Sequence, residues 1–351
     1  MEIETTTTST TTTQKNHEAE VKSIELCSSD YYFDSYTHFS IHEEMLKDSV
    51  RTGSYRKAIM VPGLMAGKVV LDVGCGTGIL SLFASQAGAK HVYAIDCAGI
   101  IEQAREIAKT NGFGDKITFI RGKVEEIELP EKVDIIISEW MGYCLIFESM
   151  LASVIYARDK WLKPGGLVLP NKCDLYLTAI SDEEYKESKI NWWNDVYGFN
   201  MSNIGEIAIK EPLVDEVEAQ MVATTSVLLK TYDMMTISKD DLALEETGFS
   251  LKGLRDDYVH AFCTYFNAIF EVPGAPRAVV LPTGPYDKPT HWKQTIMYIR
   301  DVLAVRGGEL INGTIKISYD KKNPRNLDID LDYVFNGSEH SSSASNHYIM
   351  C

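Results

Sequence analysis

No two of the seven cysteines in this 351-residue chain form a CxxC pair, so neither a zinc site nor a disulfide framework is indicated. Cys351 is the last residue here rather than the fourth from the end, so no prenylation box is expected. Histidines are few and unclustered, and His42-Glu43-Glu44 is not HExxH, so no metal is expected. No run approaches the ~20 apolar residues that span a bilayer, so no membrane association is expected. The start of the chain has no basic patch followed by an apolar stretch, so no secretory leader is read there. A place in the cytoplasm and nucleus is expected, although no basic run encodes nuclear import. Without secretion, Asn312-Gly-Thr and Asn336-Gly-Ser carry no weight as glycosylation acceptors. Basic residues are also scarce. Lys and Arg total 34 against 50 Asp and Glu, a net charge of -16. Direct nucleic-acid binding as a main activity needs a basic surface, and this balance argues against it. The same charge suits a cationic partner, and simple solubility is the plainer reading.

What is present divides into four parts. Residues 1–20 hold a threonine run with little apolar content, expected to be disordered because it cannot offset its ordering entropy. From Cys27 to Asn171, apolar runs alternate with helical patterns. The runs are KVVLDV (68–73), HVYAID (91–96), ITFI (117–120), VDIIIS (133–138) and GLVLP (166–170). Helices are expected around 41–60, 78–88, 99–111 and 146–161. This rhythm predicts an α/β, Rossmann-like parallel sheet. From 172 to 336 shorter strand patterns predict an antiparallel, β-barrel-like domain. Residues 337–351 are serine-rich and are expected to be a flexible tail.

The strongest motif is VVLDVGCGTGIL, residues 69–80. A strand runs into a loop with Gly74, Gly76 and Gly78, where backbone can approach a ligand or adopt positive φ at low steric cost. The spacing is GxGxG, not the GxGxxG of a pyrophosphate site. S-adenosylmethionine carries no phosphate and fits this loop. Asp72 would meet its ammonium group. Asp96, closing the next strand, would take the ribose hydroxyls, and Glu125 the adenine amino group. A doubly wound fold without nucleotide is the plainer alternative.

A second motif, IIISEWMGYCLIFESM (135–150), places Glu139 at the end of the fourth strand, where ligands of such sheets bind. Glu148 follows nine positions later across an apolar loop. Two carboxylates brought together repel unless a cation sits between them, and a guanidinium matches them bidentately. Two ordinary loop glutamates, one capping a helix, are the alternative.

At this point the residues resemble a family. SEWMGYCLIFESM is similar to the double-glutamate loop of the protein arginine N-methyltransferases. So are YYFDSYTHFSIHEEMLKD (31–48), YARDKWLKPGG (156–166), INWWNDVYGFNMS (190–202), EPLVD (211–215) and THWKQ (290–294). The resemblance runs from about Cys27 to Phe335 and is strongest to type I members, which make monomethyl and asymmetric dimethylarginine. It implies that Tyr32, Phe33 and Tyr36 close over the cofactor. It implies cofactor contacts from His42, Met45, Arg51, Asp72, Gly74, Gly76, Gly78, Asp96, Glu125 and Met150, with Arg51 on the methionine carboxylate. Met45 and Met150 would shape the transfer pocket. Glu139 and Glu148 would clamp the guanidinium beside Met141, Tyr143 and Trp292. His291 would pair with Asp48. Residues 183–212 would form a helical arm that docks a second copy, giving a homodimer. Arginine- and glycine-rich proteins and histone tails are the implied substrates. Asp96 departs from the pattern, since relatives often carry Glu there, and both termini depart as well.

The chemistry asks mainly for alignment of a nucleophilic nitrogen with an already activated methyl group. Free arginine is a poor nucleophile because its charge is delocalised. Two carboxylates would concentrate that charge on the nitrogens they hold and leave the third nitrogen richer in electrons. Glu148 or the His291–Asp48 pair would take the proton afterwards. A methyltransferase for another nucleophile, a noncatalytic cofactor-binding scaffold, and an oxidoreductase are the competing readings. The acid pair opposes the first, the intact site the second, and the GxGxG spacing the third.

Overall fold

The computed structural model describes residues 38–321 and 323–351. The first helical stretch, expected as one helix over 41–60, is two: α1 (Phe39–Lys47) and α2 (Ser49–Ile59). The break is Asp48, whose extended backbone ends α1 while its carboxylate accepts from the N–H groups of Val50 and Arg51. An aspartate satisfies the orphan donors of a helix start well, so it splits the run.

Five parallel strands follow: β1 (Val69–Val73), β2 (His91–Asp96), β3 (Ile117–Arg121), β4 (Val133–Ser138) and β5 (Leu162–Leu169). The helices between them are α3 (Ile79–Gln86), α4 (Ile101–Thr110) and α5 (Leu151–Trp161). The sheet order is β3-β2-β1-β4-β5. Chain order reverses between β1 and β4, which opens a crevice at their carboxyl ends. Every residue of β1 is buried, as a central strand covered on both faces requires. The helix expected from 146 begins only at Leu151, because the residues before it belong to a hairpin.

The second half is antiparallel. One sheet runs β7 (Leu213–Asp215), β12 (Gln294–Val305), β10 (Asp257–Phe270), β6 (Lys172–Ile180), β8 (Val227–Asp233), with β11 (Val279–Pro282) on β10. The other runs β15 (Ser341–Met350), β14 (Leu327–Asn336), β13 (Leu310–Tyr319), β9 (Leu244–Lys252). The two sheets meet along β8–β9 and β12–β15 and close a barrel. One continuous apolar core runs through the parallel sheet and the barrel.

Between β6 and β7 an arm of short helical turns over 183–194 leads to α6 (Ser202–Ala208). Trp192, Tyr197, Phe199 and Ile207 are exposed on it. Its base is fastened by three buried or half-buried bonds. The Lys186 ammonium donates to the Arg300 carbonyl at 2.7 Å, the Tyr298 hydroxyl to Asp182 at 2.5 Å, and the Asp182 N–H to His260 Nδ1 at 3.1 Å.

The serine-rich end corrects the sequence reading. Residues 341–350 are not a loose tail; they form β15, paired along its whole length with β14. Exposed Ser341, Ser343, Ser345, His347 and Ile349 alternate with Ser342, Ala344, Asn346, Tyr348 and Met350, a period of two that sets one face inward. The buried Tyr348 hydroxyl donates to the Tyr298 carbonyl at 2.9 Å, and the Ile349 N–H donates to the Lys210 carbonyl at the foot of the arm. The expected disorder of 1–20, like Tyr32, Phe33 and Tyr36, lies outside the described residues.

Candidate active site

A cavity of about 680 Å³ lies at the carboxyl ends of β1, β2 and β4. Its floor is the loop after β1. Gly74 has φ 71°, a conformation that favours glycine, and a Cβ there would lie 2.5 Å from the Met150 methyl carbon and push that side chain aside. The Gly76 N–H donates to Asp96 Oδ2 at 2.8 Å, with the His42 ring packed alongside. Asp96 Oδ1 accepts from the Ala98 N–H. Burial pushes the Asp96 carboxyl up, and these backbone donors only partly offset it. Glu125 lines the wall and accepts from the Ser153 hydroxyl at 2.6 Å. His42, Met45, Arg51 and Met150 also line the cavity.

Two residues expected on the cofactor are set back from the cavity. Asp72 is fully buried behind the loop and accepts from the Ser81 hydroxyl at 2.7 Å. Its other oxygen has no hydrogen-bond partner, and burial pushes the carboxyl up to about 7. Gly78 opens α3 and faces Ala104 and Phe119. Both shape the loop from behind, which spacing along a sequence does not distinguish from lining it.

The hairpin after β4 forms the other wall. The Tyr55 hydroxyl donates to the Ser138 carbonyl at 2.8 Å, and the Ser138 hydroxyl donates to the Val73 carbonyl at 2.8 Å, tying β4 to β1 and α2. Cys144, Leu145 and Glu148 adopt φ of 49°, 67° and 53°. Left-handed backbone at three side-chain-bearing residues is costly and persists only where its surroundings enforce it. A Cβ on Gly142 would lie 1.7 Å from the Phe147 carbonyl oxygen, so the strands of the hairpin touch there. The barrel supplies the rest of the support. The Trp292 indole N–H donates to the Met141 carbonyl at 3.1 Å, Cys144 Sγ and the Thr264 hydroxyl lie 3.3 Å apart, and the Tyr319 hydroxyl donates to the Ile146 carbonyl at 3.4 Å.

The hairpin brings Glu139 and Glu148 to the same cavity. Glu139 Oε2 accepts from Arg51 Nε at 2.9 Å and Nη2 at 2.8 Å, with both side chains only 8% exposed. Glu139 Oε1 is buried with no hydrogen-bond partner. Arg51, expected on the carboxylate of a bound ligand, thus sits on Glu139. Burial raises the Glu148 carboxyl, and the positive charge of Arg325 opposes that rise. Met141, Tyr143, His291 and Trp292 complete the wall. Asp48 stands behind His291: its Oδ2 accepts from the His291 backbone N–H at 3.0 Å and from ring Nδ1 at 2.8 Å. A carboxylate can only accept there, so Nδ1 carries the proton and Nε2 is the free ring position.

The family model described as Methyltransferase domain matches residues 70–166, and the one described as Arginine methyltransferase oligomerization subdomain matches 171–339. The chain is 54% identical over 338 residues to protein arginine N-methyltransferase 1 of Dictyostelium discoideum, covering 96% of this chain and 98% of that one. It is 54% identical over 325 residues to protein arginine N-methyltransferase 1.1 of Arabidopsis thaliana, covering 92% and 83% respectively. The chain belongs to the protein arginine N-methyltransferase family.

Solved members of the family superpose well. The Trypanosoma brucei PRMT1 enzyme-prozyme heterotetrameric complex with AdoHcy gives a TM-score of 0.88 at 44% identity, over 91% of this chain and all of that one. Protein arginine methyltransferase 10 of Arabidopsis thaliana gives 0.82 at 30%, over 91% and 99%. Within this methyltransferase, several supports of the site went unnoticed in the sequence. Tyr55, Thr264, Tyr319 and Arg325 reach it from segments with no motif. Only the buried, hydroxyl-bearing pattern of Thr264 on β10 could have hinted at its role.

Proposed function

We propose that this chain is a type I protein arginine N-methyltransferase, making monomethyl and asymmetric dimethylarginine with Glu139 and Glu148 as the guanidinium clamp. One observation carries the reading. Two glutamates from the two limbs of one hairpin line the same cavity as the glycine loop, and a buried oxygen of Glu139 has no hydrogen-bond partner. An orphaned buried acceptor is costly, and a cationic donor removes the cost.

The methyl donor is S-adenosylmethionine, which supplies a methyl group already activated by its sulfonium. The residues present fit it. The loop over Gly74 and Gly76 offers a close backbone floor, Asp96 and Glu125 supply acceptors along the wall, and Arg51 supplies a cation at the Glu139 end. Arg51 would turn from Glu139 toward the donor's carboxylate. Glu139 Oε1 and Glu148 would then hold two guanidinium nitrogens and draw positive charge onto them. The third nitrogen, richer in electrons, faces the methyl group. Such preorganised charge is worth a few kcal/mol per contact in the transition state. The nitrogen would take the methyl as the donor's S–CH3 bond breaks, releasing S-adenosylhomocysteine, and would give up a proton. Glu148 accepts that proton, because its burial makes it more basic than an ordinary carboxylate. Met45 and Met150 narrow the pocket in keeping with a type I product. His291 with Asp48 braces the wall through Trp292, whose ring lies 4.0 Å from that of His291.

Arginine- and glycine-rich proteins and histone tails are the proposed substrates, as flexible cations suited to a chain of net charge -16. The exposed aromatic arm supports a homodimer, with Tyr197, Phe199 and Ile207 covered by a second copy. Mass spectrometry of an arginine- and glycine-rich peptide after reaction reads the product isomer. Asymmetric dimethylarginine is the expected product, and Glu139→Gln and Glu148→Gln should each lose most single-turnover rate. Symmetric product would overturn the type I assignment, and a Glu148→Gln rate near wild type would overturn the clamp.

A further inference from the structure

The cavity holds a cationic side chain that no motif announced. Asn323, Pro324 and Arg325, in the turn between β13 and β14, line the same cavity as Glu148. The turn is built to hold its shape. The Asp320 N–H donates to the Asn326 carbonyl at 3.0 Å and the Asn326 N–H to the Asn323 carbonyl at 2.9 Å. The Asn323 amide donates to Asn326 Oδ1 at 3.0 Å, and the Arg325 N–H to Asn323 Oδ1 at 3.3 Å. Tyr319, the last residue of β13, fastens the turn to the hairpin through the Ile146 carbonyl. Arg325 therefore sits in the cavity wall with Glu148, and its positive charge opposes the rise that burial gives the Glu148 carboxyl.

We propose that Arg325 is a positioning residue, the resident counter-ion of Glu148 in the cavity. This rests on the reading that Glu148 acts on the acceptor. The arrangement answers a physical problem: a half-buried carboxylate without a nearby cation tends to take up a proton and lose its attraction for a guanidinium. A cation of the barrel limits that rise, and the incoming arginine then shares Glu148 with Arg325. Removing the charge makes Glu148 easier to protonate, so the acid limb of activity must move to higher pH.

The test is the pH profile of kcat/KM for Arg325→Met, Arg325→Lys and Glu148→Gln in the full chain, with donor binding measured on each to verify folding. In Arg325→Met the ratio of kcat/KM on the alkaline side to that on the acid side should rise severalfold. Arg325→Lys, which keeps the charge, should return the ratio close to that of the parent. If methionine does not fold, Arg325→Gln gives the same reading. A loss of equal factor at every pH, or an unmoved acid limb, overturns the proposal. If the wild-type acid limb persists in the residual activity of Glu148→Gln, the parent reading of Glu148 fails instead, and the two failures are told apart.

Discussion

Replacing Asp48 and His291, singly and together, measures how firmly the barrel is held to the helices over the cavity. Asp48 uses both oxygens. Oδ1 takes the N–H groups of Val50 and Arg51, and Oδ2 takes the His291 backbone N–H and ring Nδ1. The Asp48 side chain is 4% exposed and that of His291 14%, so water screens the pair little. A hydrogen bond to a charged group contributes about 1.5–3 kcal/mol. A helix cap contributes about 1 kcal/mol. Asp48→Ala should therefore cost about 4 kcal/mol and His291→Ala about 2 kcal/mol. The double variant should cost about 2 kcal/mol less than their sum, because either single change already removes the ring bond. Urea unfolding of the four proteins at neutral pH and one protein concentration reads this directly, as midpoint shifts at constant slope. Additivity within about 0.5 kcal/mol would refute the pair as an energetic link. The pH dependence supplies a second check. Burial pushes the Asp48 carboxyl up, and the bonds from His291 and the Arg51 backbone outweigh it, leaving the carboxyl below its ordinary range. Its contribution is thus present above the unfolded value and fades as pH falls through the folded one. The gap between wild type and Asp48→Ala should narrow in acid.

Asp72, raised to about 7 by burial, behaves in the opposite sense. Its protonated form is favoured in the fold, so the chain loses stability as pH rises toward that value. Asp72→Asn should match or exceed wild type in unfolding free energy at about pH 8 and gain less at about pH 5; a large loss at both would show that the charge is needed. At the base of the arm, burial and Lys186 push His260 down, while Glu183, Asp182 and Asp257 partly oppose them. The neutral ring accepts from the Asp182 N–H, so that support holds above the ordinary histidine value and is lost as pH falls through the folded one. Hydrogen exchange at residues 182–190 should quicken in acid for wild type relative to His260→Gln; identical profiles would remove His260 as the cause. Tyr348→Phe should cost about 1–2 kcal/mol in urea, through the Tyr298 carbonyl left unpaired. Deleting 337–351 should leave insoluble protein, because β14 becomes a bare edge; a soluble, active truncation would contradict the role of β15.

The legible parts of this molecule were those with a strong local period or a rigid chemical requirement. The alternation of VVLDV, HVYAID and VDIIIS with helical segments predicts the parallel sheet, since a strand buried on both faces must be apolar throughout. The glycine loop and the glutamate hairpin were legible because few residue types serve them. What stayed hidden depends on direction and distance. Asp72 and Gly78 occupy motif positions yet do not line the cavity, and spacing alone does not tell a residue that lines a site from one that lies behind it. Arg51 was expected on a ligand's carboxylate, and in the fold its guanidinium lies on Glu139. Arg325 comes to the site across the barrel, 177 positions beyond Glu148 (325 less 148). The last strand was obscured by composition: its serines suggested looseness, while the period of two that ends in Tyr348 and Met350 specified a strand.

The hairpin that carries Glu139 and Glu148 has its backbone carbonyls claimed by two different parts of the chain. Tyr55 holds Ser138 from the helical side, and Trp292 and Tyr319 hold Met141 and Ile146 from the barrel. This makes the chain poorly modular. A methyltransferase sheet expressed alone would keep its glycine loop, but its hairpin would lose the braces that hold three side-chain-bearing residues in left-handed backbone. Grafting the hairpin onto another doubly wound scaffold would carry the sequence of the site without its shape. The glycine loop belongs to the sheet alone, whereas the hairpin beside it takes its shape from sheet, helices and barrel together.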